Sequence, residues 1–139
     1  MFSQLPLTLV PTGALNITEE YIPERVLWLV EKIRREKVWS TPVTLEKNSL
    51  AIMDGHHRAE AAKRLGLPFI PCLLLDYSQV EVQSRIDNVV VTPERIIQRA
   101  VKGVPYPAKT TQHIFPAKLP DCNISLNFYL GEDIDQKTA

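Results

Sequence analysis

The chain has 139 residues, 45% of them hydrophobic, with 16 basic and 16 acidic side chains and a formal net charge of zero. That length suits one domain with a real core, and the balanced charge speaks against a general nucleic-acid binder, which carries a basic surplus. Two cysteines are too few for a disulfide framework, no apolar run approaches a membrane span, and Met1 to Val10 lacks the features of a signal peptide, so a reducing cytoplasm is expected.

In chain order, Leu7 to Val10 reads as a first strand, stopped by Pro11 and Gly13. Glu24 to Arg35 is the clearest helix. Val26, Leu27, Val30 and Ile33 form its apolar stripe, and Pro23 stands where a helix start tolerates proline. Pro42 to Glu46 and Ser49 to Met53 read as strands around a tight Lys47-Asn48 link. Arg58 to Leu65 reads as a helix with Ala61, Ala62 and Leu65 inward, ended by Gly66. Phe69 to Leu75 is apolar enough to be a central strand, with Cys72 as a packed thiol. Val80 to Arg85 alternates as a further strand would. Thr92 caps a helix that has Pro93 at its first position and Ile96, Ile97, Ala100 and Val101 inward, ending at Gly103. Pro105 to His113 has no period and reads as a loop. The interleaving predicts an α/β (α+β) domain, a small mixed sheet flanked by helices, with a core from about residue 5 to 118. In the tail, 119–139, Ile124, Leu126, Phe128 and Leu130 alternate. They predict an edge strand or a subunit contact, and Gly131 to Ala139 is expected to fray.

Three polar clusters interrupt this pattern. Thr18-Glu19-Glu20 precedes the first long helix; it is either a solvated acidic pair favouring a helix start or a carboxylate at the mouth of a site, acting as a general base. Asp54-Gly55-His56-His57-Arg58 joins a buried strand to a helix. A glycine turn at a helix start presents free N–H groups and a favourable dipole to phosphate, and Arg58 adds a forked grip. The paired histidines have no third His or CxxC pattern to make a zinc site; magnesium on Asp54 together with a nucleotide phosphate suits the chemistry better. Lys109-Thr110-Thr111-Gln112-His113 is either an ordinary exposed loop or a cradle for a small anion or amino acid. No GxxxxGK[ST] phosphate loop is present.

Taken together and in this order, the clusters resemble those of the free L-serine kinases, whose ParB-like fold is shared with sulfiredoxin. The DGHHR motif is complete at Asp54 to Arg58. The family's HEE element is similar to Thr18-Glu19-Glu20 before Pro23-Glu24-Arg25, and its PPKTTRH element to Pro107-Ala108-Lys109-Thr110-Thr111-Gln112-His113. The resemblance runs from about Asn16 to His113. It implies a small-molecule kinase that makes O-phospho-L-serine from free serine, ATP or ADP and magnesium. It implies Glu19 as base, Asp54 beside the transferred group and the metal, and Gly55, His56, His57 and Arg58 as the nucleotide-phosphate cradle. Lys109, Thr110, Thr111 and His113 would bind serine, with Trp39 and Ser40 on another wall of the pocket. The implied partners are serine and an adenine nucleotide, not membrane or nucleic acid; a homo-oligomer is compatible with the sequence. Thr18 in place of the family's histidine and Gln112 in place of its arginine are departures that bear on the acceptor, serine or another hydroxy amino acid, more than on the reaction class. A ParB-like nucleotide switch or DNA binder without kinase activity is the alternative. A sulfiredoxin-like reductase would need a cysteine where His56 stands.

Overall fold

The computed structural model describes residues 7–127. In chain order these form β1 (Thr8–Pro11), a 3-10 turn (Thr12–Ala14), α1 (Pro23–Glu36), β2 (Val38–Trp39), β3 (Val43–Glu46), β4 (Ile52–Asp54), α2 (His56–Arg64), β5 (Phe69–Leu75), β6 (Glu81–Ser84), α3 (Pro93–Lys102), β7 (Thr111–Ile114) and β8 (Ile124–Ser125). The main sheet has the order β1-β5-β3-β4. β5 lies inside it, antiparallel to β1 and parallel to β3, as its apolar run predicts. Two ribbons, β2 with β8 and β6 with β7, complete the mixed architecture.

Successive side chains of β5 serve opposite faces. Ile70 and Cys72 join the core beneath the helices with Val26, Val30 and Ala61, whereas Leu73 and Leu75 pack with Met53 and Val80 on the other side. The small Ala61 and Ala62 of α2 have no exposed surface, and α1 lies against this helix. Among the described residues no helix is long and apolar enough to cross a membrane.

Several expectations need correction. Leu27 and Val101 do not join their helices' inner faces; both are exposed, at 58% and 72%, because the buried stripes narrow to Val26, Val30 and Ile33 in α1 and to Ile96 and Ala100 in α3. The strand placed at Ser49 to Met53 starts only at Ile52. The Glu46 carboxylate accepts hydrogen bonds from both the N–H and the hydroxyl of Ser49 at 2.7 Å, which widens the link into a longer turn. The helix placed at Arg58 begins two residues earlier, at His56. The stretch Pro105 to His113 is a loop only as far as Thr110, since Thr111–Ile114 pairs with β6. Ile124-Ser125 pairs with β2, giving a ribbon and not an edge of the main sheet. Phe128, Leu130 and the expected frayed end lie outside the described residues.

Candidate functional site

The end of β4 delivers the chain to Gly55, whose φ of +112° only glycine adopts readily, and α2 starts at once without a side-chain cap. The Ala59 N–H bonds to the Gly55 carbonyl at 2.9 Å. The N–H groups of His56, His57 and Arg58 therefore have no acceptor within the helix, and they point outward from its positive end. A Cβ at Gly55 would stand 3.1 Å from Arg58 Nη2 and 3.1 Å from a Val43 methyl. We expect Gly55→Ala to cost about 1–3 kcal/mol, combining strained backbone with crowding. A lowered urea midpoint at unchanged slope would show it; an unchanged midpoint would contradict it.

The two histidines of this turn are committed to a neighbouring segment. His56 Nε2 accepts the Thr18 N–H at 3.1 Å, and His57 Nε2 accepts the Ile22 N–H at 3.0 Å. In the neutral ring each proton then sits on Nδ1. Burial drives the His56 pKa down to about 3, helped by the nearby His113 and His57. His57 is also lowered, by burial first and then by the Arg25 charge. The pair thus pins the segment 18–22 at both ends. Thr18 is fully buried, and its hydroxyl donates to the Ile52 carbonyl at 2.9 Å. At this position threonine is a structural anchor.

Between those pins stands Glu19. Its backbone bridges to Tyr106, with Tyr106 N–H to the Thr18 carbonyl and Glu20 N–H to the Tyr106 carbonyl, both 2.8 Å. Its carboxylate accepts the Thr110 N–H at 2.9 Å and the Thr111 hydroxyl at 2.6 Å. Residues 91 and 92 positions apart in sequence thereby fix one carboxylate. Each oxygen keeps a further lone pair for a ligand.

Glu19, Asp54, Gly55, His56, His57, Arg58, Lys109, Thr111 and His113 line a single cleft of about 810 Å³. Arg58 Nη2 lies 3.7 Å from Asp54 Oδ2 and donates to the Pro42 carbonyl at 3.4 Å. His113 Nε2 is 2.8 Å from the Tyr77 hydroxyl, and burial lowers its pKa to about 4. Three residues expected at the pocket, Trp39 and Ser40 on a wall and Thr110 in the serine-binding loop, do not line the cleft. Trp39 is buried in the core at 1% exposure, because β2 turns its indole inward beneath β8. Ser40 offers its carbonyl to Cys122 N–H. Thr110 is fully buried with its hydroxyl on the Pro107 carbonyl, so it holds Glu19 by its backbone and does not face the cleft.

The cleft also contains residues that sequence reasoning did not single out: Arg25, Trp28, Arg85 and Phe115. Trp28 carried a signal, standing off the apolar stripe of α1 and remaining 62% exposed. Arg85 ends the alternating run that became β6. Gln112 is absent from the cleft. The alternation of β7 turns it to the opposite face, where its side-chain oxygen accepts from Gln83 at 3.1 Å. Gln112 therefore takes no part in lining this cleft. Among the described residues no group of three or more His, Cys, Asp or Glu side chains could enclose a metal. Asp54, with its carboxylate half exposed to the cleft, matches the single-carboxylate mode in which magnesium is shared with nucleotide phosphates. Neither cysteine suits redox chemistry: Cys72 is buried with its thiol pushed up to about 12, and Cys122 is raised by burial too.

No protein-family model matches the chain. It is 38% identical over 96 residues to a ParB-like protein of Sulfolobus acidocaldarius, covering 69% of this chain and 48% of that one. It is 29% identical over 100 residues to an ATP-dependent L-serine kinase of Desulfurococcus mucosus, covering 68% and 39%. The chain thus spans about half or less of these relatives' length. Among solved structures it is similar to a free serine kinase in complex with AMP, with a TM-score of 0.80 over 91% of this chain and 96% of that one; at 13% identity this is a likeness of fold. The architecture is that of a ParB-like domain with its cleft at the strand–helix junction. In sequence the chain is thus similar to proteins named ParB-like protein and ATP-dependent L-serine kinase, each over part of its length.

Proposed function

We propose that this protein transfers a phosphoryl group from an adenine nucleotide, ATP or ADP, to the hydroxyl of free L-serine, releasing O-phospho-L-serine. The observation that carries this reading is the convergence of Glu19 and the uncapped start of α2 on one cleft. Relatives named ATP-dependent L-serine kinase and the fold shared with a nucleotide-bound serine kinase support it.

The phosphates lie against the N–H groups of His56, His57 and Arg58, where the helix dipole and the Arg58 guanidinium offset their charge. Asp54 Oδ2 at 3.7 Å and the Pro42 carbonyl at 3.4 Å keep the Arg58 guanidinium beside this helix start. Asp54 would hold magnesium together with phosphate oxygens, and the ion would neutralise charge on the transferred group. Glu19 takes the proton from the serine hydroxyl as its oxygen bonds to phosphorus and the bond to the leaving nucleotide breaks. The histidines act at one remove, holding 18–22 so that this carboxylate stays aimed.

Incubation with magnesium, labelled ATP or ADP and a panel of free hydroxy amino acids tests the reading, and phosphoserine is the expected product. The 38% identity to a ParB-like protein favours one second reading, a nucleotide-binding regulator. Nucleotide binding without any phosphoamino acid would establish that reading instead.

A further inference from the structure

The cationic side chains of the cleft fall into two groups. Arg58 stands at α2 with Arg25 on the adjoining α1, beside the open helix start. Arg85, directly after β6, and Lys109, just before β7, line the same cleft. Arg58 is committed to Asp54 and the Pro42 carbonyl. Arg85 is tied only to backbone: its N–H donates to the Thr110 carbonyl at 2.8 Å and its Nε to the Thr111 carbonyl at 3.1 Å. No carboxylate pairs with it among the described residues. These two bonds fix the root and the Nε of Arg85 and leave the outer guanidinium nitrogens free for an anion.

The peptide units that hold Arg85 belong to the residues that hold Glu19, through Thr110 N–H and the Thr111 hydroxyl. An acceptor whose hydroxyl touches Glu19 carries its own carboxylate only three bonds away. With the phosphates placed at the start of α2, the Thr110–Thr111 segment that holds both Glu19 and Arg85 is where such a carboxylate would be met.

We propose that Arg85 fixes the acceptor's carboxylate and so selects an α-amino acid over other small alcohols. This rests on the kinase reading above. A planar fork suits a carboxylate better than the point charge of Lys109, and it takes the place in the site that an arginine at 112, facing outward, would not reach.

The test compares wild type with Arg85→Gln and Arg85→Lys, using L-serine and L-serinamide as acceptors and following ADP binding by calorimetry. Arg85→Gln is expected to raise KM for L-serine about 10- to 100-fold, the worth of a charge-assisted pair of hydrogen bonds. It should raise KM for serinamide, whose neutral amide lacks the carboxylate's charge and second oxygen, by a much smaller factor, leave the affinity for ADP near wild type, and Arg85→Lys should recover only part of the loss. An unchanged KM for serine, or an equal rise for serinamide, overturns the proposal. Calorimetry of L-serine binding with ADP present separates the two readings. If wild type makes no phosphoserine yet binds serine and Arg85→Gln does not, the carboxylate grip stands while the kinase reading fails. If wild type neither phosphorylates nor binds serine, both fall.

Discussion

Glu19→Gln is expected to lower the rate of phosphoserine formation by about 10²- to 10⁴-fold, the usual worth of a positioned general base. The substitution keeps shape while removing the charge and the proton-accepting oxygen pair. The glutamine carbonyl can still accept the Thr110 N–H. Its amide can face Thr111, whose hydroxyl then turns to accept. Folding should therefore change little, and KM for the nucleotide should hold because the phosphate-facing groups lie on α2. A loss confined to kcat, with ADP affinity and urea midpoint near wild type, is the signature of a group acting in the transition state. A variant that keeps its full rate would remove Glu19 from the role, and Asp54 would be the carboxylate to examine next.

The parts of this site that could be read in advance are those written in local pattern. Gly55 between a strand and a helix, proline and Thr92 at the start of α3, and the apolar run of β5 each announce themselves within a few residues. What could not be read was set by pairings between distant segments. The histidines look like ligand-binding groups in sequence, yet their Nε2 atoms serve backbone N–H groups 38 and 35 residues away. Trp39 looks like a loop aromatic until β8 covers it. Gln112 looks like a lost arginine contact until strand alternation turns it away from the cleft. Leu27 and Val101 show the reverse error: apolar type and approximate spacing overstate burial, because a helix lying on one neighbour hides only a narrow stripe.

The same histidine pins make the fold acid-sensitive. All three histidines of the chain are shifted towards the neutral form: His56 to about 3 and His113 to about 4 by burial, and His57 downward by burial and the Arg25 charge. In the unfolded chain each imidazole titrates at about 6.5. Between that value and the folded ones the unfolded state binds more protons. Stability is thus fully present above about pH 6.5 and falls as the pH falls, by about 1.4 kcal/mol per unit each for the buried His56 and His113, with His57 adding in the same direction. Urea midpoints at pH 7, 6 and 5 should decline steeply at constant slope against denaturant, before most carboxylates begin to protonate. His56→Gln isolates the largest contributor: its side-chain carbonyl can accept the Thr18 N–H without taking up a proton. That variant should lose one histidine's share of the pH dependence while folding at pH 7. Equal declines in variant and wild type would mean that His56 is protonated in the folded state without penalty, and that its grip on the Glu19 segment is not what acid releases.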